Sequence, residues 1–229
     1  MPKSVVSHTL VRNGQPFIGL VLRQVQPFVN RSLVTISDKS NDGTLQVLRR
    51  LQKEFPNKIY IDFENVQSPG LLTQERQKQV SRSYEDWILF LDDDDFWPEE
   101  SLEEMMELLD TDCDALANNP YQVVDQHYYD HSWRFKWFTK WFKNQKGVNY
   151  RKEWPKDLIF LNDEMLYWRN QNKRTIRVKP RYLHLSNIKP SSFRKKKWAG
   201  EFKQGIGLKR KYPEEVKKHI WRIYNEFNK

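Results

Sequence analysis

Between residues 4 and 118 short apolar runs alternate with longer amphipathic ones, and this rhythm limits the fold more than any other feature of the sequence. "SVVSHTLV" (4–11), "RSLVTIS" (31–37), "KIYIDF" (58–63), "DWILFLD" (86–92) and "DALAN" (114–118) have the length and composition of strands. The segments between them have helical spacing. Pro16 suits the opening of a helix over "PFIGLVLRQVQPF". Leu45, Leu48 and Leu51 share one face of "NDGTLQVLRRLQKEF", with Asn41 or Asp42 as its N-cap. A Pro-Gly turn at 69–70 leads into the polar helix "LLTQERQKQVSRSY", and "PEESLEEMMELL" has Pro98 at its first position and acids in its first turn. Repeated β-α-β units of this length predict an α/β fold, a mostly parallel sheet flanked by helices. In such sheets ligands bind beyond the carboxyl ends of the strands.

The fourth strand ends in concentrated charge. "WILFLDDDDFWPEESL" (87–102) drives an apolar run into Asp92, Asp93, Asp94 and Asp95. Four adjacent like charges repel unless something cationic sits among them, and carboxylates at a strand end offer hard oxygen ligands to a divalent ion. If the strand continues, Asp92 and Asp94 point one way and Asp93 and Asp95 the other. Arg12-Asn13 and Ser37-Asp38 follow the first and second strands, on the same predicted edge.

In order and spacing these motifs resemble the GT-A glycosyltransferases, and within them family 2. The resemblance is carried by "VRNGQPFIGLVLRQV", "SDKSNDGTLQVL", Arg76 in "QERQKQVSRSYEDWILFLDDDD", and "ILFLDDDD" as the Asp-X-Asp motif. It implies a GT-A (Rossmann-like) fold, a nucleotide-sugar donor such as a UDP-sugar, and Mn²⁺ or Mg²⁺ at the donor diphosphate. By position it places Asp94 on the metal and Asp92 on the metal or the donor ribose. Arg12, Asp38, Arg76 and Asp93 then fall near the donor. His184 in "RYLHLSNIKP" resembles a late histidine that completes metal coordination, the other reading being a half-buried strand histidine. "LNDEMLYWR", read as helical, resembles the segment carrying the acceptor base, with Asp163 as candidate and Glu164 as rival, and an inverting transfer is implied. The sequence departs from the family pattern at Ser37, where the first acid of a pair is usual, at Gly14, where Glu is usual, and at Asn162, also in place of Glu.

Charge divides the chain. Residues 131–229 hold 27 Lys and Arg against 8 Asp and Glu, whereas residues 1–130 hold 12 against 22. The basic part is expected to face a polyanion. We therefore expect one compact domain with a donor-binding half (1–125) and a basic, aromatic-rich acceptor-binding half (126–229). "HSWRFKWFTKWFKNQKGVNYRKEW" and "SSFRKKKWAGEFKQG" supply Trp133, Lys136, Trp137, Arg194, Lys195, Lys196, Lys197 and Trp198 as acceptor-binding candidates. An anionic glycan or lipid-linked saccharide is the first choice of acceptor. Nucleic acid is the second, with transfer to an extruded hydroxymethylated base. In a third reading Trp133, Trp137, Trp141 and Phe142 only pack the core, and a non-catalytic binding protein is a further alternative.

"RTIRVKPRYLHL" predicts a strand pair around Pro180, and "PEEVKKHIWRIYNEF" a terminal helix with Val216, Ile220, Ile223 and Phe227 on one face. No apolar run is long enough to span a membrane, the amino terminus is too polar for a signal peptide, and Cys113 has no disulfide partner. The expected location is cytoplasmic, with peripheral contact at the inner membrane surface.

Overall fold

The computed structural model describes residues 2–64, 69–130, 137–153, 156–166, 174–186 and 209–227. The first part follows the alternation of the sequence: β1 (Val5–Val11), α1 (Gln15–Val25), β2 (Arg31–Ser37), α2 (Thr44–Glu54), β3 (Ile59–Glu64), α3 (Pro69–Ser81) and β4 (Trp87–Phe90). Strand β1 pairs in parallel with β2 and with β4, and β2 with β3. Their carboxyl ends therefore share one edge, where the aspartates, Asp38 and Arg12 lie.

The chain continues through β5 (Asp95–Phe96), α4 (Glu99–Leu108), β6 (Ala115–Asn118), β7 (Tyr121–Val123), β8 (Tyr128–Asp130) and β9 (Phe138–Lys143). Then come β10 (Val148–Glu153), β11 (Lys156–Leu161), β12 (Glu164–Met165), β13 (Thr175–Arg177), β14 (Leu183–His184), β15 (Lys209–Lys211) and α5 (Glu214–Phe227). Among the described residues the largest sheet has the order β13-β6-β9-β4-β1-β2-β3. Strand β9 runs antiparallel to both its neighbours, and the other pairs are parallel, so the sheet is mostly parallel as predicted. A five-stranded sheet (β15-β8-β7-β14-β5) and a three-stranded one (β10-β11-β12) accompany it.

The apolar spacing of the sequence shows in the packing. Helix α1 buries Phe17, Ile18, Leu20, Val21, Leu22 and Val25, and α2 buries Leu48 and Leu51. The N-cap position of α2 is Gly43, one residue past the two candidates. Asp42 beside it still accepts from the Thr44 amide at 3.0 Å and the Gln15 amide at 3.1 Å, holding the starts of α2 and α1 together. Pro69 and Gly70 lie inside α3 rather than in a turn before it, and Pro98 is the N-cap of α4 rather than its first residue. In α5, Val216, Ile220 and Ile223 are buried as the spacing requires, while the Phe227 side chain lies outside the described ones. No helix among the described residues is long and apolar enough to cross a membrane.

Two readings of the second half change. Residues 162–165 are not helical: β11 and β12 form a hairpin with Leu161 opposite Glu164, and residues 167–169 of the same segment lie outside the described ones. Asn162 and Asp163 form its two-residue turn with φ of 48° and 69°. Positive φ at both positions is the type I′ geometry that matches strand twist, and Asn and Asp tolerate it better than most residues. The two strands around Pro180 exist but do not pair with each other. Strand β13 joins β6 in the large sheet, and β14 joins β5 and β7 in another.

Of the aromatic-basic stretch, Trp141 and Phe142 are core residues of β9, both fully buried. Trp141 packs edge-on against Trp97 at 5.8 Å between ring centroids, and Trp97 stacks on Tyr182 at 5.0 Å. Trp141→Ala is expected to cost about 3–5 kcal/mol of stability. Trp221→Ala, at a side chain 56% exposed, should change stability by less than about 0.5 kcal/mol. Guanidinium unfolding of the two variants beside the parent checks both, and equal losses would contradict this packing.

Candidate functional site

Beyond Phe90 the backbone stops being a strand. The Asp95 amide donates to the Asp92 carbonyl at 3.2 Å, closing a turn over the four aspartates. The alternation expected for a continuing strand is lost, and each carboxylate meets its own surroundings. Asp93, Asp94 and Asp95 are buried, whereas the Asp92 side chain is 35% exposed.

Three distant elements supply the counter-charge. Arg76 of α3 is buried; its Nη1 donates to the His8 carbonyl at 2.8 Å, and its Nη2 to Asp92 Oδ1 at 3.3 Å. Its guanidinium lies 3.8 Å from the centre of the Phe90 ring. Lys140 of β9 donates to Asp92 Oδ2 at 2.7 Å and to Asp95 Oδ2 at 2.5 Å. His184 of β14 lies opposite Asp95 of β5 in an antiparallel pair, and its Nδ1 is 2.8 Å from Asp95 Oδ1 and 3.7 Å from Asp94 Oδ1. The Leu185 amide donates to the Asp94 carbonyl at 2.8 Å, fixing the turn from the same strand.

These neighbours decide the charge states. Burial opposes ionisation of Asp92, but Lys140 and Arg76 outweigh it and hold the carboxyl below its ordinary range. For Asp95 burial prevails over Lys140 and His184, and the carboxyl is pushed up. Burial disfavours protonated His184, yet Asp94 and Asp95 more than compensate and raise its pKa. Lys140 pays the same burial penalty, and Asp92 and Asp95 still lift it well above the usual lysine range.

One ligand atom from each of Asp94, Asp95 and His184 lies within 4.8 Å of the other two. Two buried carboxylates with an imidazole are a donor set suited to Mn²⁺ and compatible with Mg²⁺. This group has Asp95 where the sequence reading had Asp92, whose two oxygens meet Arg76 and Lys140. Asp93 turns toward α1. A β-carbon added at Gly14 would come within 2.4 Å of Val11 Cγ2 and 3.0 Å of Asp93 Oδ2, so a larger side chain at position 14 collides with this arrangement.

The remaining candidates are more dispersed. Arg12 and Asp38 are exposed beyond β1 and β2, and the Asp38 amide donates to the Glu64 carbonyl at 3.1 Å. Ser37 Oγ accepts from the Lys39 amide at 3.2 Å, a loop-holding role. Asn13, with φ of 54°, accepts from the Asn41 amide at 2.9 Å and ties the first two edge loops together. Asp163 sits at the exposed hairpin tip, paired with Arg151, and Glu164 follows it in β12. The hairpin is tethered near Lys140 by Thr139 Oγ1, which donates to the Leu166 carbonyl at 2.8 Å. Trp137 is half-buried, with the Arg177 guanidinium 5.5 Å from its ring centre. Trp133, Lys136, Arg194, Lys195, Lys196, Lys197 and Trp198 lie outside the described residues. Asp95 as a member of this group, and Lys140, are the site residues that sequence reasoning passed over. For Lys140 the signal was a lysine embedded in the strand-like "FTKWF".

The model of glycosyl transferase family 2 matches residues 15–176. No curated protein sequence matches the chain. Similar solved structures include S. aureus TarS in complex with UDP, 19% identical over 52% of this chain and 36% of that one, with a TM-score of 0.44. A mannosyltransferase, PcManGT from Pyrobaculum calidifontis in complex with GDP-Man and Mn²⁺, is 17% identical over 52% and 36%, with a TM-score of 0.43. The 4-diphosphocytidyl-2C-methyl-D-erythritol synthase of Anaerococcus prevotii is 9% identical over 79% and 90%, at 0.49. The similarity to the first two spans about a third of their length.

The hairpin separates structure from chemistry at Asp163. Gly suits the second position of a type I′ turn better than Asp does. Asp163→Gly should therefore leave Tm unchanged or slightly raised in a thermal melt. A fall of more than about 4 °C, roughly what 1 kcal/mol produces in a chain of this size, would show that the Asp163 side chain helps hold the fold.

Proposed function

The chain belongs to glycosyl transferase family 2, and we propose that it moves a sugar from a nucleotide-sugar donor to an acceptor hydroxyl at the carboxyl edge of β1, β2 and β4. The observation that carries this reading is the Asp94–Asp95–His184 group at the end of β4, two buried carboxylates and a half-buried imidazole. Asp94, Asp95 and His184 would hold a Mn²⁺ or Mg²⁺ ion, which would supply Lewis-acid stabilisation for the nucleoside diphosphate leaving group. Arg76 and Lys140, fixed beside Asp92, add positive charge that needs no reorganisation. In this reading Arg12, Asp38, Asp92 and Asp93 flank the donor, with UDP as the proposed nucleotide. Asp163 is the proposed base for an inverting attack, and Glu164 the second candidate. A base must come within hydrogen-bond distance of the attacking hydroxyl. The exposed hairpin tip leaves Asp163 open to an incoming acceptor.

The acceptor proposed for the basic half is an anionic glycan or lipid-linked saccharide, met from the cytoplasmic side of a membrane surface. The one-sided charge of residues 131–229 also favours a second acceptor, DNA carrying hydroxymethylated bases. Purified protein with Mn²⁺ and labelled nucleotide sugars, offered a lipid-linked glycan extract or hydroxymethylated DNA, separates them. Label in the lipid fraction is expected, and label only in the DNA would replace the first acceptor with the second.

Asp94→Asn should reduce transfer by at least about a hundredfold with Tm close to the parent's. EDTA should abolish the parent's activity and Mn²⁺ restore it. Parent-level turnover by Asp94→Asn, or undiminished activity in EDTA, would remove the metal-assisted reading.

A further inference from the structure

Lys140 reaches the aspartates through an irregularity in the sheet. Strand β9 pairs with β4 through Leu89 opposite Trp141, and with β6 through Leu116 opposite Trp141 and then Ala117 opposite Thr139. Lys140 is thus skipped in the ladder with β6, as the extra residue of a bulge. Bulges re-aim side chains and recur beside functional sites. This one delivers a buried ammonium between two carboxylates, 4.8 Å from the Phe90 ring centre and 5.3 Å from that of Tyr182. A lysine so enclosed is costly unless its charge is matched. Asp92 and Asp95 match it, accepting from its Nζ at 2.7 and 2.5 Å.

The consequence concerns the metal. Asp95 belongs to the Asp94–Asp95–His184 group, yet Lys140 holds one of its oxygens and His184 faces the other. A divalent ion approaching the group therefore meets a carboxylate already shared with a fixed cation, and it is repelled by that cation at close range. Four aspartates against Arg76, Lys140 and His184 leave little excess of negative charge. A polyphosphate entering beside Arg76 and Lys140 would offset their charge and remove the repulsion.

We propose that Lys140 is a resident counter-cation that keeps the divalent-ion affinity of the Asp94–Asp95–His184 group low until a polyphosphate arrives, so that ion and anion bind as a pair. The inference rests on the reading that the site takes a nucleotide diphosphate. Lys140 in this role is a positioning residue that sets affinity through Asp95, and coupling of this kind acts equally on both ligands.

The test is Mn²⁺ binding to the full chain without nucleotide, followed by electron paramagnetic resonance of free Mn²⁺ and by calorimetry. Lys140→Met removes the charge, Lys140→Gln removes it but keeps a hydrogen-bond donor, and Lys140→Arg keeps the charge. Both neutral variants should bind Mn²⁺ about tenfold tighter or more, given the strength of a unit charge a few ångströms away, and Lys140→Arg should bind like the parent. Unchanged or weaker Mn²⁺ binding by the neutral variants overturns the inference. So does an absence of Mn²⁺ binding by parent and variants alike at millimolar ion. Loss of the native near-ultraviolet circular dichroism in both neutral variants overturns it too, because Lys140 would then be holding the fold. Turnover is not measured, so failure of the glycosyl-transfer reading, seen as no reaction of the parent with any nucleotide sugar, remains a separate result.

Discussion

Consecutive carboxylates at the end of a buried strand persist only where counter-charge is built in, and the arrangement of this protein follows from meeting that requirement. Asp93, Asp94 and Asp95 are almost wholly withdrawn from solvent. Compensation comes from α3 through Arg76, from β9 through Lys140 and from β14 through His184. Of these, β9 and β14 are far from the aspartates in sequence, and α3 directly precedes β4. The large sheet, the helix covering it and the five-stranded sheet all have to be in place before the charges balance. Electrostatics at one turn is in this sense a constraint on the whole tertiary structure.

Most of the parallel framework was legible because its signals are local. Apolar runs of strand length, bounded by helical spacing, yielded β1 to β4 and β6, α2 and α4 to within a residue or two, and α1 with its end three residues early. The site was legible in part for the same reason: Asp94 and His184 could be nominated by motif. Strand alternation could not show that the backbone turns at Asp92, because the turn depends on the pairing of β5 with β14. Likewise the role of Lys140 depends on a bulge against β6, a tertiary event that leaves only an out-of-place lysine in the sequence. The hairpin was a different failure. Asn162-Asp163 was a usable turn signal, and the helical reading of the residues after it prevailed over that signal.

The charge division shows why totals mislead. Several bases of the second half have structural partners: Lys140 lies among the aspartates, Arg177 over Trp137, Arg151 on Asp163, and Arg181 4.5 Å from the Tyr121 ring centre. A count of lysines and arginines cannot separate such residues from those presented to a partner. Departures from the family pattern also gain a physical meaning. Gly14 is small where an acid is usual, and the carboxylate of Asp93 packs against that position, so the two residues form one steric unit.

Strand β9 also bears on how the molecule is assembled. Among the described residues it is the sole link in the large sheet between β4 and the β6–β13 pair. Strands β1 to β4 can associate through short right-handed crossovers while the rest of the chain is still being made. The gap beside β4 closes only when the segment ending at Lys143 arrives from far along the sequence, which is a slow, non-local event. Until then the edge of β4 is unpaired and the aspartates following it lack Lys140. A nascent chain in that state carries an open edge next to an uncompensated acidic turn, and the same charge that demands a partner later discourages wrong pairing in the interval.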